Sequence, residues 1–194
     1  IEVLTATTIF VIALGAILTS ALALFKTTMY GGAFLVATNL AQEALEVIHK
    51  RRDENFLNEM LTPDQWRDGF NFSAAIIKPD VSTGSFEGKF TIESVTYTLH
   101  DCVTNNRACQ VFFDETTGLY GDAGLVSVYG AVSSKFYRML EFAPILCEDV
   151  GTLQTEGLCA AGEEIGVAIA SRVQWYQAAK LREVVLEPPL FNWE

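Results

Sequence analysis

Residues 1–25, IEVLTATTIFVIALGAILTSALALF, decide the fold of this 194-residue chain. From Val3 to Phe25 there is no Asp, Glu, Lys, Arg or His, and apolar residues cover every face of a helix. About 20 apolar residues suffice to cross the hydrocarbon core of a bilayer. A helix that is apolar all round requires lipid or a bundle of similar helices. The stretch therefore predicts a membrane-spanning or bundle-forming helix over residues 1–25, and it argues against disorder and against a simple soluble enzyme.

The helix is expected to continue beyond this stretch, over residues 26–61. Gln42, Glu43 and Glu46 lie on one side, and apolar residues recur on the other at the three-and-four spacing of an amphipathic helix. A stop is predicted at Thr62–Pro63, where a new N-cap also begins. The whole helix would then have about 58 residues and a length of about 90 Å. The apolar positions are Phe34, Ala37, Leu40, Ala41, Ala44, Leu45, Val47 and Ile48.

Residues 62–194 follow a different pattern, in which β-branched and alternating stretches are separated by Gly, Asn and Asp. Such stretches with short connections predict a mostly antiparallel β-sheet. The last two strands are expected to form a hairpin across Gln177–Ala179, and Pro188–Pro189 excludes a central strand after it. The fold class is therefore α+β, with one long N-terminal helix packed on a C-terminal antiparallel sheet. The predicted strands are 70–77, 89–100, 110–114, 125–129, 134–142, 165–176 and 180–186.

The four cysteines indicate an oxidising compartment. Cys102 with Cys109 and Cys147 with Cys159 close the smallest loops, which favours these two disulfides among the three possible pairings. Buried thiols or a zinc site are the alternatives, but the chain has no C-x-x-C and its two histidines lack ligand spacing. Disulfides persist outside the cytoplasm, so the bulk of the chain is predicted to be extracytoplasmic.

The remaining polar motifs give no catalytic, cofactor-binding or metal residues, and the chain is predicted not to be an enzyme. His100, Asp101 and Cys102 are consecutive and could suggest a catalytic group. Neighbours in a strand point to opposite faces, however, so these side chains are not expected to act together. The acidic loop from Asp114 to Asp122 could bind calcium, but its spacing is not that of an EF-hand, so a solvated turn is favoured.

A glycosylation triplet, a basic run and the net charge give no further functional site. Asn71 begins an N-x-S acceptor triplet for glycosylation, a pattern that also arises by chance. The basic run Lys50–Arg52 is expected to pair with acids three and four residues away. The net charge of −11 repels phosphate backbones, so no nucleic-acid partner is expected.

The N-terminus resembles that of type IV pilins and the related pseudopilins. Ile1-Glu2-Val3-Leu4 before an uncharged run is similar to the mature start of these proteins with the N-terminal methylation motif. Two weaker likenesses are the helix NLAQE (39–43), EVI (46–48) and RRD (51–53), and the ending VQW (173–175), REVVL (182–186) and LFNW (190–193). Together they cover about the first third and the last thirty residues. The resemblance implies the pilin lollipop and a filament core formed by residues 3–25.

The resemblance also implies a function and partners. It implies a structural subunit of a type IV pilus at the cell surface, used in attachment and twitching motility, with a precursor in the inner membrane. Glu2 would pair with the terminal amine of a neighbouring subunit and thereby set the register of a helical homopolymer. The implied partners are the chain itself, the assembly machinery and a prepilin peptidase. The alternatives are a pseudopilin or minor pilin, and a membrane-anchored surface binding domain.

The orientation in the membrane raises a conflict between two arguments. Lys26 is the only cation close to the apolar run and would by itself place the C-terminal side inside, whereas the cysteines place it outside. A short Lys/Arg-bearing leader before Ile1 would settle the conflict. We therefore expect a precursor with such a leader, removed next to a methylated N-terminal residue.

Overall fold

The computed structural model describes residues 2–57, 66–79, 90–96, 98–106, 108–116, 118, 120–121, 131–147, 160, 162 and 164–191. The chain divides into two compact units, Ile1–Val36 and Ala37–Glu194. Among the described residues, the helices are α1 (Glu2–Leu57) and the short α2 (Leu99–Asp101), which is followed by a π-helical turn at Cys102–Asn106. The strands are β1 (Ala74–Pro79), β2 (Phe90–Ser94), β3 (Gln110–Phe113), β4 (Tyr120–Gly121), β5 (Val132–Leu146), β6 (Glu164–Gln177), β7 (Lys180–Leu186) and β8 (Pro189–Phe191).

The strands form one sheet in which every pairing between described residues is antiparallel. Its centre is the long ladder of β5 and β6, which runs from Phe136 opposite Trp175 to Leu146 opposite Glu164. β5 also pairs with β1 and β3, while β6 also pairs with β7 and β8. The predicted α+β class, a long N-terminal helix on an antiparallel sheet, is confirmed.

Within the second unit, the sheet has apolar residues on both faces because side chains alternate along each strand. One face packs against the part of α1 that begins at Ala37, and its core includes Ile48, Leu140 and Ile169. The other face packs α2 and the π-helical turn through a cluster that includes Leu99 and Met139. The long β5 thus contributes alternate residues to two separate cores.

Small residues allow this part of α1 to lie close to the sheet. Ala37, Ala41 and Ala44 are fully buried. The close approach brings two strand side chains within reach of the helix backbone: the Ser171 hydroxyl donates to the Ala41 carbonyl at 3.0 Å, and Arg138 Nη1 donates to the Leu40 carbonyl at 3.2 Å. Polar groups buried in this interface are therefore paired with main-chain acceptors, as burial requires.

The strand predictions differ in accuracy. The spans 110–114, 165–176 and 180–186 agree closely with β3, β6 and β7, and β5 is longer than its predicted 134–142. The predicted hairpin is confirmed, and its two central residues, Ala178 and Ala179, have φ of 50° and 60°, as a type I′ turn requires. β8 starts at Pro189, and among the described strands it pairs only with β6, which agrees with the exclusion of proline from central strands.

Two of these predictions were wrong at their ends. The strand predicted at 70–77 begins only at Ala74, since residues 70–73 follow a turn without strand structure and bend at 72–73. The strand predicted at 89–100 stops at Ser94, because Thr98 caps a helical turn. Residues 58–65, including the predicted stop at Thr62–Pro63, and the predicted strand 125–129 lie outside the described residues.

Candidate membrane and assembly surface

The first unit presents an almost wholly apolar helical surface. Between Val3 and Gln42 the sequence contains one charged residue, Lys26. Large apolar side chains on this part of α1 are exposed on all sides, from Val3 through Phe10, Leu18 and Phe25 to Leu35. In length and composition α1 meets the requirement for a membrane span.

The serine and threonine hydroxyl groups of this surface are satisfied inside the helix. Thr8 donates to the Leu4 carbonyl at 2.6 Å, Ser20 to the Ala16 carbonyl at 2.9 Å, and Thr28 to the Leu24 carbonyl at 3.0 Å. Thr5, Thr7, Thr19 and Thr27 make bonds of the same kind. In an apolar medium such internal bonds remove the cost of an unpaired hydroxyl. The polar residues of α1 are thus compatible with lipid or with a helix bundle.

The exposed apolar surface does not end at Phe25. Met29, Phe34 and Leu35 are also exposed, and the rings of Tyr30 and Phe34 stack with centroids 6.4 Å apart. Lys26 and Tyr30 are residue types typical of a membrane boundary, where a charged or polar tip reaches water from an apolar body. From Val3 to Leu35 the apolar surface spans 33 residues, or about 50 Å of helix.

Glu2 lies in the first turn of α1, where a carboxylate is favoured by the helix dipole. Its side chain is exposed, and no ion pair joins it to another residue in the described ranges. The geometry leaves its carboxylate available to a group outside this chain.

Three of the four cysteines lie in the described residues, and all three are disulfide-bonded. Cys102, at the end of α2, is bonded to Cys109, with the Cα atoms 6.0 Å apart. Cys102 is fully buried, and the Cys109 amide donates to its sulfur at 2.8 Å. Cys147 is also disulfide-bonded, and its predicted partner Cys159 lies outside the described residues.

The predicted strand position of His100, Asp101 and Cys102 is wrong, because His100 and Asp101 lie in α2 and Cys102 begins the π-helical turn. Thr98 and Asp101 form a capping box: the Asp101 amide donates to the Thr98 hydroxyl at 3.2 Å, and the Thr98 amide donates to the Asp101 carboxylate at 3.2 Å. The Thr98 hydroxyl also donates to this carboxylate at 2.7 Å. These hydrogen bonds lower the pKa of Asp101. Its carboxylate therefore caps the N-terminus of α2.

The other polar candidates occupy structural positions. Asp114 is buried and its carboxylate accepts from the Thr116 amide at 2.9 Å in a turn, whereas Asp122 lies outside the described residues. Asn71 is exposed just before β1, so its glycosylation stays a prediction. The basic run on α1 forms local ion pairs, of which the shortest joins Arg52 to Asp53 at 2.8 Å. Among the described residues, no three His, Cys, Asp or Glu side chains group as metal ligands.

No protein-family model, curated protein or solved structure matches this chain.

Two groups of residues that the structure brings together were not predicted from the sequence. Arg138 and Ser171 hold the backbone of α1, and Arg172 lies among three glutamates on the opposite face of the sheet. The sequence did contain one signal for the first group: Arg138 and Ser171 are polar residues in otherwise apolar strands. This signal identifies residues that face the helix only when the register of the strands is known.

Proposed function

We propose that this chain is the structural subunit of a type IV pilus-like filament, assembled through the apolar surface of α1. The observation that carries the proposal is the length of that surface. It extends over about 50 Å, whereas the hydrocarbon core of a bilayer is about 30 Å thick. A helix tilted by about 40° still spans about 38 Å along the membrane normal. A bilayer alone therefore leaves apolar surface in contact with water.

Copies of the same helix can cover the whole surface. An exposed apolar patch of this extent marks an interaction site in soluble surroundings, and a helix that is apolar on every face can contact neighbours on several sides at once. Contact on several sides is what a helical homopolymer needs and what a simple dimer does not. Lipid before assembly and neighbouring helices afterwards provide two successive apolar environments.

Glu2 gives the proposed assembly its register. A carboxylate transferred into an apolar bundle must be paired, because an isolated buried charge costs several kcal/mol. In the proposed filament its counter-ion is the terminal amine of a neighbouring subunit. Any other axial offset between neighbouring subunits would leave the Glu2 carboxylate buried without its counter-ion. The cost of this unpaired charge would favour a single axial position.

The second unit suits the outside of such a filament. Among its described residues, apolar clusters pack on both faces of the sheet, and one of these clusters contains the disulfide between Cys102 and Cys109. The disulfides favour an extracytoplasmic location. In this proposal α1 builds the filament and the sheet unit forms its surface at the outside of the cell.

Electron microscopy and mass spectrometry of material sheared from cells test the proposal, with the wild type compared with Glu2→Ala. Glu46→Ala is the matched control, because it removes the same charge from an exposed position of the same helix. We expect filaments composed mainly of the wild-type or Glu46→Ala chain, and their loss or strong reduction in Glu2→Ala. If the chain stays with the membrane and filaments are absent or unaffected by Glu2→Ala, the proposal fails. A minor pilin, a pseudopilin or an anchored binding domain would then replace it.

A further inference from the structure

A groove of about 580 Å³ crosses the face of the sheet that carries Met139. Small side chains form part of its floor, because three neighbouring positions on β5 and β6 are alanines: Ala143 lies opposite Ala168, and Ala170 lies opposite Glu141. Val95, Thr96 and Thr98, which precede α2, line one wall. A volume in this range is typical of ligand sites, and the lining is mostly apolar.

The opposite wall of the groove is acidic. Arg172 on β6 donates through Nε to the Glu141 carboxylate at 2.8 Å, and its Nη1 and Nη2 atoms lie 3.7 Å from Glu183 and 3.6 Å from Glu187. Three carboxylates thus surround one guanidinium, and the group keeps two net negative charges. The hydrogen bond that Arg172 donates to Glu141 raises the pKa of Arg172, so the guanidinium remains charged.

We propose that this groove binds a short peptide segment that presents a lysine side chain. The aliphatic part of lysine would lie on the alanine floor, and its ammonium group would meet the excess carboxylate charge of Glu141 and Glu187. Lysine combines an apolar stem with a charged end, which matches a floor of alanines beside an acidic wall. The match is one of charge as well as of shape.

Two other ligand classes fit the groove less well. An anion would face the net negative charge of the wall and would have to displace a carboxylate from Arg172. A carbohydrate needs fixed polar donors along its hydroxyl groups, but the groove lining contains no Asn or Gln among the described residues, and the Thr98 hydroxyl already donates to Asp101. The acidic excess therefore favours a cation.

Binding can be measured on the full chain in neutral detergent micelles, by NMR or thermophoresis, with the peptide Ac-Ala-Lys-Ala-NH2. The matched peptide has norleucine in place of lysine and so keeps the stem without the charge. We expect weak binding of the lysine peptide that decreases between about 50 and 300 mM salt, because exposed charges are screened. Binding of the norleucine peptide is expected to be about tenfold weaker, consistent with contacts to more than one carboxylate.

Variants of the chain separate the two parts of the site. Glu141→Gln/Glu187→Gln is expected to weaken lysine-peptide binding by about tenfold, and Glu46→Gln, far from the groove, by less than about twofold. Ala143→Leu fills the floor at an exposed position and should abolish binding with the charges intact. Arg172→Gln removes the resident cation and is expected to strengthen binding severalfold, which a merely structural role of Arg172 would not produce.

Equal binding of the norleucine and lysine peptides would overturn the proposal in favour of an uncharged ligand. Absence of binding to the wild type, with circular dichroism showing a folded protein, would overturn it outright, and so would weaker binding by Arg172→Gln. The measurement needs no filament and leaves Glu2 unchanged. Its failure is therefore distinguishable from failure of the proposed assembly function.

Discussion

The guanidinium of Arg138 on β5 lies 2.8 Å from a carboxylate oxygen of Glu43 on α1. The Arg138 side chain is only 4% exposed, whereas that of Glu43 is 33% exposed. Since the same guanidinium also donates to the Leu40 carbonyl, one buried cation binds both a side chain and the backbone of the helix. The Ser171 hydroxyl donates to the neighbouring Ala41 carbonyl. Together, the bonds from Arg138 and Ser171 oppose both sliding and rotation of this part of α1 on the sheet.

Removal of Glu43 should leave the buried Arg138 with too few acceptors. We expect Glu43→Ala to lower the free energy of unfolding by about 1.5 to 3 kcal/mol, the range for hydrogen bonds to charged groups. The loss is expected to be smaller than for a fully buried pair, because Glu43 is partly solvated and the Leu40 carbonyl remains. Chemical denaturation in micelles, followed by the fluorescence of the buried Trp175, measures it.

Two further variants make this prediction specific. Glu46→Ala removes an exposed carboxylate from the same helix and is expected to change stability by less than about 0.5 kcal/mol. The double variant Arg138→Met/Glu43→Ala should be more stable than Glu43→Ala, because it removes the stranded charge and fills the space with an apolar side chain. A double variant less stable than the single one would contradict a stranded charge as the cause.

The disulfide between Cys102 and Cys109 should stabilise the second core of the sheet. Its loop contains eight residues, and loop entropy then predicts a contribution of about 2.5 kcal/mol. We expect Cys102→Ala/Cys109→Ala to lose this amount and to increase amide hydrogen exchange in α2 and the following turn. The first core, around Ile48, should keep its exchange protection, and uniform loss of protection would show that the two cores do not open separately.

Parts of this fold could be predicted from sequence because their signals are local. The uncharged run to Phe25 and the alternation in β6 and β7 need no knowledge of distant residues. The capping box at Thr98 was also readable as a Thr and an Asp three residues apart, but the β-branched residues before it favoured a strand. Arg138 and the groove could not be predicted in this way, since both depend on which residue of β5 lies opposite which residue of β6.

The lowered pKa of Asp101 makes a prediction about pH. A carboxylate with a depressed pKa in the folded state contributes stability above its unfolded pKa, and this contribution is lost as the pH falls through the folded value. We expect NMR titration of the Asp101 carboxyl to give a pKa below the ordinary 3.8. Thr98→Ala removes the hydroxyl that donates the strongest of the bonds responsible, so it should move the pKa of Asp101 upward, and an unchanged value would contradict this cause.

Leu35 tests whether the apolar surface beyond the membrane takes part in assembly. Its side chain is 61% exposed, and it lies 32 residues, or about 48 Å of helix, after Val3. Leu35→Glu leaves residues 3–25 unchanged, so membrane insertion, measured by carbonate extraction, should equal that of the wild type. If neighbouring helices cover Leu35, a carboxylate there must be desolvated, at a cost of about 2.5 kcal/mol or more. Filament yield should then fall by about tenfold or more.

Leu57→Glu is the matched control, because Leu57 is 82% exposed at the other end of α1 and the substitution makes the same change in charge. It lies among charged residues of the helix, where a further carboxylate stays in water, so filament yield should be close to that of the wild type. Equal yields from both variants would mean that nothing covers Leu35. The apolar surface would then require only a membrane, and the length of α1 would no longer support a filament over a simple anchor.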